Sequence, residues 1–304
     1  MTDVAIFLEG QNGLNWNNWK RIARSVEELG FAGLYRSDHF TNMRPPDKDS
    51  LEMWISLAWL ADNSNRIEFG QLVSPISFRN PVFAARMGKD IDDLSGGRFI
   101  LGLGAGWQDH EHEKFGFDLM EIGPRFDRFE EGVELAYKLL KSEGPVSFSG
   151  NYFQVNEAEL LPKPQRQGGP PILIGGRGQK RTLPLTARFA DEWNGGFRPP
   201  KTFASLNAHL DQLLEAEGRK PEEVRRSATN TTIFGKDEQE LKRKLEDRGY
   251  TEETLEKFGI IAGTGQQIVD QIGAYGEAGA ERVMLQWLDL DDQEGLEALA
   301  KAVL

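Results

Sequence analysis

The 304-residue chain contains no cysteine. That absence excludes disulfides, thiolate nucleophiles and zinc–thiolate centres, and it fits a reducing, cytoplasmic address. Histidine is scarce, at four residues, so few imidazoles are available for proton transfer or metal ligation. Cations are outnumbered: 36 Lys and Arg stand against 48 Asp and Glu, for a formal net charge of −12. This balance argues against a general nucleic-acid or anionic-membrane surface, although a local cluster of cations can still hold a small anion. Long apolar runs are missing too. The stretch MTDVAIFLEGQ has an acidic third residue and only a short apolar run, and it reads as neither a signal peptide nor a membrane span.

What the sequence does have is rhythm. Short apolar runs begin near Val4, Gly33, Ile67, Phe99, Ile172, Glu192, Ser227 and Val283, with amphipathic stretches between them. Trp16, Trp19, Ile22, Ala23, Val26 and Leu29 form one helical stripe; Phe126, Phe129, Val133, Ala136, Tyr137 and Leu140 form another. Glycines precede the strands in ELGFAGLY, LSGGRFILG, QGGPPILIGG and EAGAERVML. Eight strands alternating with helices predict parallel βαβ units, and a count of eight favours a closed α/β (β/α)8 TIM barrel over an open sheet. No linker divides the chain, so residues 1–304 are expected to form one domain. Two intervals are too long for one helix and its loops. One carries a hairpin around VSFSGNYFQV (146–155), expected as an insertion over the barrel; the other carries charged helices near Asp237–Arg248 and Glu252–Phe258.

Residues 172–181, ILIGGRGQKR, join a buried strand to a helix through a glycine turn. The start of a helix leaves backbone N–H groups unpaired at its positive end, and phosphate is the usual occupant of such a place. Gly175, Gly176 and Gly178 would let the backbone approach an anion; Arg177, and Lys180 or Arg181, would balance its charge. A plain tight turn is the competing reading. In a barrel the chemistry sits at the carboxyl ends of the strands. The residues there are Glu9, Gln11 and Asn12; Ser37, Asp38, His39 and Phe40; Ser74, Pro75 and Arg79; Gly104, Ala105, Gly106 and Trp107; Asn194 and Gly195; and Gln286 and Trp287.

Several of these segments together resemble one family. YRSDHF (35–40), LVSPISFRNP (72–81), LSGGRFILGLGAGW (94–107), the EH and FG of HEHEKFG, ILIGGRGQKR and ARFADEWN (187–194) look like the luciferase-like monooxygenase superfamily, in order along nearly the whole chain. EGQNGLNW (9–16) with RSDHF is most similar to its deazaflavin (coenzyme F420)-dependent branch. The resemblance implies a barrel with insertions, a flavin or deazaflavin in the mouth, a homodimer, and a non-prolyl cis peptide near Leu72–Ser74. It also implies that the turn at Gly175–Gly178 holds the cofactor phosphate with Asn194 and Gly195 close by, and it places Ser74 and GLGAG (102–106), hence Gly104, Ala105 and Gly106, against a flat ring. A close backbone contact within the barrel is the other reading of those glycines.

By the same resemblance, His39 faces the ring carbon that transfers hydride, a position suited to proton movement near neutral pH. Asp38 is expected to orient it from a second layer, although adjacent strand residues point opposite ways. Sugar-phosphate dehydrogenases of the superfamily carry a glutamate where Trp107 stands here, so their substrate mechanism does not transfer. Trp107 instead suggests an aromatic wall. Glu9 either supplies a carboxylate from strand one, caps a loop or forms an ion pair. His110 and His112, at i and i+2, share a face only on a strand and find no third ligand, so no metal is expected; Glu111–His112 matches the family pattern as a structural pair. The expected function is hydride transfer between coenzyme F420 and a small organic substrate. The alternative is an FMN-dependent monooxygenase on the same barrel. A non-catalytic flavin-binding protein and a cofactor-free barrel lyase are weaker readings, disfavoured by the Asp–His pair and by GLGAGW.

Overall fold

The computed structural model describes residues 2–304. Eight parallel strands form the barrel: β1 (Asp3–Leu8), β2 (Gly33–Arg36), β3 (Glu68–Gln71), β4 (Phe99–Gly104), β5 (Ile172–Gly175), β6 (Glu192–Asn194), β7 (Arg225–Phe234) and β8 (Arg282–Trp287). Each strand pairs with the next, and β8 returns to β1 from Asp3↔Arg282 to Phe7↔Gln286, so the cylinder closes without an open edge. All eight expected strand starts lie within two residues of the observed ones. A short strand, Ser74–Pro75, continues past β3 and pairs with β4, and the Leu72–Val73 peptide before it is cis.

Helices pack on the outside for reasons visible in their sequences. The first, Trp16–Leu29, is capped by the Asn15 side chain, which accepts from the N–H groups of Asn17 and Asn18, and it stops where Gly30 takes a left-handed φ of 100°. Trp19, Ile22, Ala23 and Val26 bury its stripe, while Trp16 lies at the margin, edge-on to Trp59. The helix Ile122–Lys141 buries Phe129, Val133, Ala136 and Leu140 in the same way. The hairpin of Val146–Ser149 and Gln154–Ala158 is fastened to this helix: Glu131 accepts from the N–H groups of Asn151 and Tyr152, and Lys138 lies over the Phe148 ring. It therefore leans on a peripheral helix, and none of the expected site residues lies on it. In the second long interval, Glu238–Arg248 and Glu252–Phe258 are helices, and Ile261–Gly263 adds a strand to the outer end of β7. Among the described residues no helix is long and apolar enough to cross a membrane.

Alternation along the strands sorts side chains into the barrel or against the helices. Ile6, Leu34, Phe69 and Leu101 belong to the large outer core, whereas Ala5, Phe7, Tyr35, Ile100, Leu173 and Met284 form a separate apolar layer inside. Below that layer, at the amino ends of the strands, lies an ionic floor. Glu68 pairs with Arg282 and with Arg225 (2.9 Å), and Arg282 also meets the Tyr35 hydroxyl. Glu192 is fully buried beside them, and burial pushes its carboxyl above the usual carboxylate range. A packed, charged floor leaves only the carboxyl ends open to a ligand.

Glycine lines one wall above the apolar layer. A Cβ on Gly102 would come within 1.9 Å of the Gln71 carbonyl oxygen; one on Gly104 would lie 2.4 Å from Val73, and one on Gly175 2.9 Å from it. Val73 thus fills a notch that three bare positions leave between β3, β4 and β5. We expect Gly102→Ala to destabilise the fold by about 1–3 kcal/mol through overpacking against backbone. Urea unfolding would read this as a lower midpoint; an unchanged midpoint would show that β3 and β4 separate freely.

Candidate active site

β2 runs out into a loop that carries His39 to the barrel mouth. His39 Nδ1 lies 2.8 Å from Glu111 Oε1, and the second oxygen of Glu111 accepts the Phe40 N–H at 3.0 Å. Glu111 is 1 % exposed, on the helix Asp109–Phe115 that follows β4. A carboxylate at Nδ1 requires the proton there, which leaves Nε2 as the working nitrogen. Nε2 has no protein partner among the described residues, and the side chain keeps 15 % exposure. Burial of the ring opposes its protonation. The hydrogen bond and charge of Glu111, with the charges of Glu9 and Asp38, outweigh burial, and the His39 pKa stands above its ordinary value.

Asp38 does not orient His39. Its carboxylate accepts a two-pronged contact from Arg79, 3.0 Å from Nε and 2.7 Å from Nη2, and a third bond from Ser74 Oγ at 3.2 Å. Neighbours on an extended chain project to opposite sides, and the orienting carboxylate comes instead from Glu111. The family pattern suggests a structural role for Glu111; its contact to His39 makes it the residue that positions the imidazole. Ser74 is fully buried, with its hydroxyl engaged by Asp38. His112 is structural as expected: Nδ1 meets the Gln108 carbonyl and Nε2 meets Ser77 Oγ, each at 2.7 Å.

One side of the mouth is polar. Glu9 neither caps a loop nor forms an ion pair: its oxygens accept from Gln286 Nε2 at 2.6 Å and Gln11 Nε2 at 2.8 Å. Gln286 in turn accepts from Thr231, and Gln11 accepts from Ser37 at 2.7 Å. Asn194 is buried on this side, donating to Ser227 and Thr229 at 3.1 and 3.0 Å. Gly195 donates its N–H to the Ser227 carbonyl, and a Cβ there would strike the Trp193 ring at 2.6 Å. The other side is bare backbone around Val73. Collision with protein, not with a ring, already accounts for the glycines of GLGAG: Gly104 abuts Val73, and Gly106, at φ 82°, abuts Ser77 Oγ. Ala105 between them is half-buried at the core's edge. Trp107 is 54 % exposed and stands edge-on to His39, ring centroids 5.4 Å apart.

The Gly175–Gly178 turn closes the ring of features. It is held down at Gly176, whose N–H donates to the Asn194 carbonyl at 3.0 Å and whose carbonyl accepts from Trp193 Nε1 at 2.8 Å. The next N–H groups, of Arg177, Gly178 and Gln179, donate to no protein acceptor among the described residues. Partial burial and the neighbouring Arg198 guanidinium lower the Arg177 pKa, which places two like charges beside these free donors. Neither arginine has a carboxylate partner among the described residues, nor has Lys180. Arg181 is engaged elsewhere, with Asp127 at 2.6 Å. Arg198 follows β6 and carries no motif, so sequence reading missed it; burial and charge proximity reveal it.

A family model described as luciferase-like monooxygenase matches residues 2–252. The F420-dependent hydroxymycolic acid dehydrogenase of Mycobacterium tuberculosis is 29% identical over 71% of this chain and 58% of its own length. Pyrimidine monooxygenase RutA of Agrobacterium fabrum is 33% identical over 58% of this chain and 48% of its own length. The alignments thus span about half of these relatives' length. Among solved structures, an F420-dependent secondary alcohol dehydrogenase in complex with an F420–acetone adduct superposes with a TM-score of 0.87, covering 99% of this chain and 98% of the other at 18% identity, a likeness of fold.

The Glu111 contact has a titration consequence. A histidine whose folded pKa is raised contributes stability fully present below its unfolded pKa and lost as pH rises through the folded one. Glu111→Gln removes the charge that raises it, so the His39 pKa should fall, and with it that increment of stability at acid pH. NMR titration of the His39 ring checks this; a pKa unchanged in the variant would contradict Glu111 as its cause.

Proposed function

We propose hydride transfer between a deazaflavin and a small organic substrate for this chain, which belongs to the luciferase-like monooxygenase family. The family is one of oxidoreductases and monooxygenases. The observation that carries the proposal is the Glu111-held His39, its Nε2 free at the barrel mouth beside Trp107. The residues present suit such a cofactor. Free N–H groups of Arg177, Gly178 and Gln179, with Arg177 and Arg198, suit a phosphate. The Val73 and glycine wall suits the flat face of a ring, and the amides held by Glu9 suit its polar edge. A bound deazaflavin supplies a ring carbon that gives or accepts hydride. His39 Nε2, on a ring that Glu111 keeps protonated to higher pH than an ordinary imidazole, donates a proton to substrate oxygen in reduction and takes it back in oxidation. Trp107 stands beside that proton path, edge-on to the imidazole. We take residues 1–304 as the single domain that does this.

An FMN-dependent monooxygenase is the second reading, favoured by the 33% identity to a pyrimidine monooxygenase. Equilibrium titration separates the two: the deazaflavin is expected to bind at least about tenfold more tightly than FMN, and equal or reversed affinities would favour the monooxygenase. Arg177→Ala and Arg198→Ala should each weaken deazaflavin binding about three- to tenfold, a modest loss because Arg177 is exposed. His39→Ala should slow single-turnover hydride transfer by ~10²–10⁴-fold with little change in cofactor affinity. Normal transfer in that variant would demote His39 to a structural residue.

A further inference from the structure

Beside the barrel mouth lies a cleft of about 630 Å³, within the size range of small-ligand sites. Its inner end is Glu9 and Gln11, the same pair that forms the polar wall next to His39. The loop after β2 forms a second side through Met43, Arg44 and Lys48, and Arg248 with Leu288 forms the third. We infer that the substrate is an organic anion, a carboxylate or phosphate monoester on an apolar body, whose charge rests on Arg44 and Lys48 at the outer end of this cleft. The inference rests on the hydride-transfer reading for where the reacting end of the molecule lies.

Three features lead to it. First, the cations are uncommitted: among the described residues neither Arg44 nor Lys48 pairs with a carboxylate, and Lys48 Nζ only donates to Asn12 Oδ1 at 3.2 Å. Arg248 differs, being paired with Asp289. Farther out, where the cleft opens into a wider groove past Asp289, Asp291 and Asp292, the basic groups are already engaged; Lys244 reaches Asp292 at 3.1 Å. Among the described residues that line this cleft and the groove beyond it, unpaired positive charge therefore lies on the loop after β2. Second, this cluster sits on a chain of net charge −12. At physiological salt, charges beyond about 8 Å are screened, so the nearest groups decide what binds. Third, the cleft is polarised along its length. Glu9 at the inner end repels an anionic group, and Arg44 and Lys48 at the outer end attract it. The neutral, reacting end of the substrate is thereby directed towards His39, while Met43, Pro46 and Leu288 offer apolar contact between the two ends.

The test is an equilibrium titration of the full-length protein with phenyl phosphate and benzoate, with benzyl alcohol as the uncharged counterpart and inorganic phosphate as the free anion. It uses the wild type, the Arg44→Ala/Lys48→Ala variant and an Arg177→Ala variant, which weakens the other anion-binding place. Deazaflavin is kept saturating wherever it binds. At least one aromatic anion is expected to bind the wild type tenfold or more tightly than benzyl alcohol and than inorganic phosphate. That preference should vanish in the double variant and persist in Arg177→Ala. No preference in the wild type, or a double variant that binds as the wild type does, overturns the inference, as does a loss confined to Arg177→Ala, since the probe would then be occupying the phosphate turn. Deazaflavin affinity, measured in the same preparations, separates the two readings. Intact deazaflavin binding without anion preference defeats this inference alone. Anion preference without deazaflavin binding supports the anionic substrate and defeats the cofactor proposal.

Discussion

One buried carboxylate joins the two loops on which the site depends. Glu111 comes from the helix after β4 and gives one oxygen to His39 Nδ1 and the other to the Phe40 N–H, both on the loop after β2. A carboxylate so shielded is costly to bury unless its oxygens are satisfied, and here two donors do so. The arrangement fixes the imidazole's tautomer and raises its pKa, and it sets the edge of Trp107 against the ring. Arg79 and Asp38 form a second brace next to it, with Phe40 and Phe78 under the guanidinium. Two ion-paired braces on one loop hold the imidazole at a defined place in the mouth.

The barrel adds an asymmetry that matters for any planar ligand. On one side Gly104 and Gly175 yield space to the Val73 side chain and Gly102 to the Gln71 carbonyl, so Val73 stands alone among bare backbone. On the other, Gln11, Glu9, Gln286 and Thr231 form a connected set of hydrogen-bonding groups, and Asn194 is tied separately to Ser227 and Thr229. The glycine turn lies beyond β5, anchored by Trp193 and Asn194 of β6. A flat ring with a polar edge and an anionic tail matches these three surfaces at once. The ionic floor of Glu68, Arg225, Arg282 and Glu192 keeps the opposite end closed.

Much of this architecture was legible because local signals coincide with the fold. Each strand is a short apolar run bounded by turn residues, so eight strands could be counted and a closed barrel expected. The glycine turn after Ile174 could be recognised because a strand, glycines and cations follow without interruption. Long-range side-chain pairing was not legible. Asp38 adjoins His39 in sequence, yet extended backbone turns it away, and the true partner lies 72 residues on. The glycines of GLGAG looked like room for a ligand; the residue that fills the room, Val73, belongs to a different strand end. Arg198 and the uncommitted cations of the loop after β2 carry no motif at all. What marks them is the lack of a nearby carboxylate, which only three-dimensional packing can reveal.

In the proposed reaction Glu111 tunes His39 as the proton-handling group of a hydride transfer. The most direct test is the pH dependence of single-turnover substrate reduction by deazaflavin-loaded protein, compared between wild type and Glu111→Gln. The rate should fall as pH rises through the raised His39 pKa, with that descending limb displaced to lower pH in the variant. A limb at the same pH in both proteins, or a rate indifferent to pH across the region where histidine titrates, would contradict it.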